Sequence, residues 1–83
     1  MDITAEDKSG VIVIIELKAG TADDKAIAQI LSYMGAMASS NQRPIRGILA
    51  AGDFTPRTTF AARMIPTLEL RKDTFKFTFQ AVK

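Results

Sequence analysis

The 83-residue chain contains no cysteine and no histidine. Their absence excludes a disulfide staple, a zinc site of thiolates and imidazoles, and Ser-His or Cys-His nucleophilic catalysis. Any metal has to be a hard cation held by carboxylate oxygens. A cysteine-free chain also fits a reducing compartment. No apolar run approaches the ~18 residues of a membrane span, and the N-terminus lacks a signal-peptide design. A soluble, cytoplasmic protein away from membranes is therefore expected. Eleven basic residues against nine acidic ones leave a net charge of +2, too small to dictate a partner.

What is present is ordinary globular material, 47% apolar and 24% charged, in a length that holds one small domain over residues 1–83. "MDITAE" and "VIVIIELK" read as two strands around "DKSG". The β-branched run Val11–Ile15 favours strand. Gly10 suits the left-handed position of a three-residue loop, which sets Asp7 opposite Val11 and therefore Asp2 opposite Glu16. "GTADDKAIAQILSYMGAMASSN" predicts a helix capped by Thr21, with Asp24 at the capping-box position and Asp23 complementing the dipole. Its apolar stripe is Ile27, Ile30, Leu31, Met34, Met37 and Ala38. "IRGILAAG" predicts a strand closed by Gly52. "DFTPRTTFAARMIP" predicts a short helix with Thr55 as cap and Pro56 at its first position. "TLELRKDTFKFTFQAV" reads as a hairpin turning at Lys72-Asp73. Strands and helices alternating in this way predict an α/β fold.

Glu16 and Lys18 interrupt the most apolar strand of the chain. Residues two apart on a strand share a face, and the loop register adds Asp2 to that face. Two carboxylates and an ammonium thus converge, and a magnesium ion is normally held by one or two carboxylates plus water and phosphate oxygens. Taking such charges out of water is costly unless they are paired or bound. Gln29 and Tyr33, four apart on the helix, lie together on the flank of its apolar stripe, both capable of hydrogen bonding. The plainer alternatives are a solvated strand end carrying a surface ion pair and two partly exposed helix residues.

The stretch "DITAEDKSGVIVIIELKAGTADDKAIAQILSYMGAM" resembles the PD-(D/E)xK nuclease superfamily in its RecB-like branch, and most of all the C-terminal nuclease domain of NucS-type endonucleases. A strand Asp, a Glu-x-Lys strand and a Gln-x-x-x-Tyr helix occur there in this order. The likeness covers roughly residues 2 to 50 and continues more loosely through "RGILAAG". It implies a restriction-endonuclease-like mixed β-sheet with flanking helices, and hydrolysis of DNA phosphodiester bonds assisted by Mg2+ or Mn2+. By the same resemblance Asp2 and Glu16 hold the metal, Lys18 assists the attacking water, and Gln29 and Tyr33 orient the site. The family's pattern places a helix and usually a strand ahead of the Asp, whereas Asp2 here follows the first Met. A homodimer in which a second copy covers the missing N-terminal elements is the resulting expectation.

The expected partner is DNA, with single-stranded or branched forms as candidates. Arg43, Arg46 and Arg57 are candidate phosphate contacts. Phe75, Phe77 and Phe79 alternate as one buried sheet face does, and as a base-stacking row also does. The alternative to a nuclease is an inactive nuclease-fold remnant kept for DNA binding or assembly.

Overall fold

The computed structural model of the protein describes residues 2–72, with the backbone alone of Asp2. Its elements are β1 (Asp2–Glu6), β2 (Ile12–Ala22), α1 (Asp24–Ser40), β3 (Ile45–Phe54), α2 (Pro56–Arg63) and β4 (Leu68–Lys72). The strands form one mixed sheet in the order β1-β2-β3-β4. β1 is antiparallel to β2, while β2, β3 and β4 run parallel. Each parallel crossover carries a helix, as such connections require. Helix α1 packs on β2 and β3, and α2 packs on α1 and β4.

The turn between β1 and β2 sets the register on which the site depends. Asp7 Oδ1 accepts from the Ser9 backbone (2.9 Å), the Ser9 hydroxyl (2.6 Å) and the Val11 backbone (3.0 Å). Gly10 adopts φ +88°, the left-handed conformation an L side chain rarely takes. The ladder then pairs Asp2 with Glu16, Thr4 with Ile14 and Glu6 with Ile12, as the loop chemistry predicts. The Ser9 hydroxyl, the Val11 N–H and Arg46 together hold the Asp7 carboxyl below its ordinary value.

Strand β2 runs further than the sequence suggests. A register shift lies between Lys18 and Thr21, with Gly20 at φ +74°, and pairing resumes at Thr21↔Asp53 and Ala22↔Phe54. Glu16 and Lys18 therefore stand inside a strand, not at its end, and β3 runs past Gly52 to Phe54. The same extension displaces the predicted cap. Thr21 belongs to β2, and Asp23 caps α1 by accepting from the Lys25 and Ala26 N–H groups. The Ala22 carbonyl, 2% exposed as a residue, receives the Thr55 N–H and the Thr58 hydroxyl, which locks β2 to the start of α2. Thr55 caps α2 and Pro56 opens it, as expected.

The core lies between the sheet and the helices, built from Ile12, Ile14, Ile27, Ile30, Met34, Leu49 and Leu68. Of the predicted helix stripe, Ile27, Ile30 and Met34 are buried, Leu31 and Met37 are half-buried, and Ala38 is exposed. Ala26, outside that stripe, is buried instead. Gly47 lets β3 approach the helix: a Cβ there would lie 2.6 Å from Met34 Sδ. Lys72 ends β4, while Asp73 and the Phe75, Phe77, Phe79 row lie outside the described residues.

Candidate metal and phosphate site

Position 16 lies between two strands, paired with Asp2 on β1 and Leu49 on β3. Its carboxylate is almost wholly buried, the residue being 1% exposed. Only one oxygen is accounted for: Oε1 stands 3.4 Å from Lys18 Nζ, while Oε2 has no hydrogen-bond partner among the described residues. A buried carboxylate with an unsatisfied oxygen is expensive, because desolvation is not repaid by bonding. Its chemistry fits an oxygen-preferring cation. Among the described residues no three acidic side chains gather as a metal cage. The second carboxylate position facing Glu16 is Asp2, placed by the backbone register.

Lys18 lies two residues along the same strand and on the same face, its side chain 35% exposed. Its ammonium donates to the Gln29 side-chain oxygen at 3.0 Å. Helix α1 thus holds the strand's ammonium through an amide, which accepts without adding negative charge. Glu16, Lys18 and Gln29 form one connected group open to solvent at its Lys18–Gln29 end.

Tyr33 stands one helical turn beyond Gln29 and takes no part in the Glu16–Lys18–Gln29 bonds. Its ring is half-exposed and lines a cavity of about 350 Å³ with Thr4, Ile14, Ala36, Met37 and Ser40. Thr4 and Ile14 are paired with each other, one same-face row along from the Asp2–Glu16 pair.

The three candidate arginines divide between the ends of the sheet. Arg43 donates twice to the Gly10 carbonyl, at 3.0 and 2.8 Å, and pairs with Glu6. Arg46 stands 3.8 Å from Asp7. Both fasten the β1–β2 turn, and Arg46 pairs with Val13, three residues or roughly 10 Å of strand from Glu16. Arg57 lies at the other end of the strands, well exposed and 3.8 Å from Asp24. Sequence reasoning missed the Asp53–Lys72 pair (3.5 Å) on the same rim. The Phe54 N–H, and then Lys72, hold the Asp53 carboxyl below its ordinary value. Lys72 pairs in register with Ala51, two residues before Asp53, and no local pattern announces that pairing.

The family and the fold have known counterparts. The family described as Endonuclease NucS C-terminal domain matches residues 1–76. The chain is 36% identical over 55 residues to Endonuclease NucS of Pyrococcus furiosus, covering 66% of this chain and 21% of that protein. It is 38% identical over 55 residues to the Pyrococcus horikoshii protein of the same name, covering 66% and 22%. Among solved structures, a repair endonuclease from Pyrococcus abyssi superposes with a TM-score of 0.78 at 32% identity, over 86% of this chain and 31% of that one. EndoMS in apo form gives 0.78 at 30% identity, over 87% and 33%. EndoMS in a complex with double-stranded DNA gives 0.76 at 31%, over 86% and 29%. The chain thus spans about a fifth of the length of the curated relatives it matches.

Proposed function

The chain belongs to the endonuclease NucS C-terminal domain family, and from that premise we propose that it carries a metal-dependent site for hydrolysing DNA phosphodiester bonds. The observation that carries this reading is the Glu16 carboxylate, buried with Oε2 unpartnered among the described residues and paired in register with Asp2. Asp2 and Glu16 would hold Mg2+ or Mn2+. When bound, the ion supplies a Lewis acid for the phosphate oxygen and a water acidified toward neutral pH.

The chain's own residues do the rest. Glu16 keeps the Lys18 ammonium on the site face, and the Gln29 amide fixes its direction. Lys18, whose Nζ donates to Gln29, serves as donor: it orients the attacking water and stabilises charge gathering on the phosphate oxygens. Water adds to phosphorus and gives up a proton to solvent, the bond to the departing nucleoside oxygen breaks, and that oxygen takes up a proton from solvent. The relative solved with double-stranded DNA supports DNA as the substrate class.

We also propose that a second copy covers β1. That strand is an edge of the described sheet, and its Ile3 is 42% exposed. Light scattering at micromolar concentration should give twice the chain mass; the single-chain mass contradicts pairing. Among the described residues no helix is long and apolar enough to cross a membrane.

The test of the catalytic reading is cleavage of labelled single-stranded, duplex and branched DNA in Mg2+, Mn2+ or EDTA, beside Glu16→Ala and Lys18→Ala. Cutting that needs the metal and is lost in both variants supports the site. A folded chain that binds DNA without cutting it supports instead a remnant kept for binding or assembly.

A further inference from the structure

The cavity beside Tyr33 has no role in the mechanism above, yet its lining begins one same-face row along from the Asp2–Glu16 pair. Ile14 lies two residues before Glu16, and Thr4 two residues after Asp2, each on the site's face. Two residues of strand are about 7 Å, comparable with one step of an extended nucleic-acid backbone. On the helix side, Tyr33 follows Gln29 by one turn.

All six lining residues, Thr4, Ile14, Tyr33, Ala36, Met37 and Ser40, are uncharged. A phosphate finds no counter-charge among them, whereas a flat neutral heterocycle finds an apolar floor in Ile14 and Met37 and an aromatic wall in Tyr33. Thr4 and Ser40 add hydroxyl groups to the lining. The Ser40 hydroxyl donates to the Ala36 carbonyl at 3.2 Å, which leaves its oxygen able to accept. About 350 Å³ lies within the range of small-ligand pockets.

We propose that this cavity receives a nucleobase, stacked on Tyr33, from the nucleotide next to the phosphate held at Glu16 and Lys18. The proposal rests on the nuclease reading for its substrate, and adds to it a base subsite. Stacking tolerates any base, so the subsite supplies affinity and position rather than a sequence code. It requires an unstacked base, which favours single-stranded or locally opened DNA at this point.

The chain reports on this pocket directly, because Tyr33 is its one tyrosine and it has no tryptophan. Tyrosine emission is titrated with a single-stranded oligonucleotide and with an abasic oligonucleotide of equal length, in EDTA at low salt. Free tyrosine amide corrects for absorption by the bases. Anisotropy of labelled versions of both oligonucleotides follows binding separately. The expected result is quenching by the base-containing strand alone, with the abasic strand bound roughly tenfold more weakly. Tyr33→Phe should keep that affinity difference and Tyr33→Ala should erase it, both with melts like the parent chain.

Binding of the base-containing strand without quenching overturns the subsite and leaves the nuclease reading intact. Tyrosine emission that changes with protein concentration before DNA is added assigns the cavity to a second copy instead, and equally overturns it. A folded chain that binds neither strand removes the subsite together with the DNA reading beneath it.

Discussion

The Lys18 ammonium donates to the Gln29 amide oxygen at 3.0 Å while standing 3.4 Å from Glu16 Oε1, so one cation joins helix α1 to the buried carboxylate of β2. An amide in that place holds the ammonium without neutralising it. A carboxylate would bind it more tightly and make it a poorer donor to phosphate.

Gln29→Ala should therefore slow cleavage about tenfold at saturating DNA, which is about 1.4 kcal/mol of transition-state stabilisation. Hydrogen bonds to charged groups reach ~1.5–3 kcal/mol, and the half-open site sets this one at the low end. Gln29 is exposed, so stability should change by less than about 0.5 kcal/mol. Single-turnover rates check the first expectation and thermal melts the second. An unchanged rate would remove Gln29 from the site.

Acid should act through the β1–β2 turn. The Asp7 carboxyl titrates below its ordinary value in the folded chain, so its contribution to stability is complete above the unfolded value of ~3.9. That contribution is lost as pH falls through the lower, folded value. Asp7→Asn keeps a turn-forming oxygen and loses the charge. The variant should be less stable than the parent at pH 7, and the two should converge as pH falls below about 4. Denaturant melts across that window read the difference, and a gap that stays constant with pH contradicts the assignment.

Gly47 answers to packing. An added methyl would press on Met34 Sδ, with Ile30 and Leu68 at 3.2 and 3.3 Å. Gly47→Ala should cost about 1–3 kcal/mol through overpacking. Placed on a Met34→Ala background, where the sulfur is gone, the same change should cost clearly less. Additive losses in the double variant would show that the methyl meets no obstacle.

Much of this was legible in the residues themselves, for local reasons. Gly10 and Asp7 announce the turn, the turn sets the register, and the register brings Asp2 to Glu16 without any tertiary information. Thr55-Pro56 likewise marks the start of α2. The misplaced cap has a long-range cause: β2 is prolonged through a bulge by pairing with Asp53 and Phe54, which overrides the local preference of Thr21. Ala26 escapes the sequence pattern because alanine carries a weak apolar signal, yet it is buried in the core. The i, i+4 spacing of Gln29 and Tyr33 suggested one shared site. In the fold, one turn of helix sends the first to Lys18 and the second to the neighbouring cavity.

The most direct measurement is a calorimetric titration of the metal-free chain with Mn2+, in parallel with Glu16→Gln, which keeps the shape of the side chain and removes its charge. The account predicts saturable binding by the parent chain, a matching rise in melting temperature through mass action, and loss of both in the variant. A parent chain that is folded yet binds no Mn2+, or a variant that binds it equally well, would contradict the assignment of Glu16 to a metal.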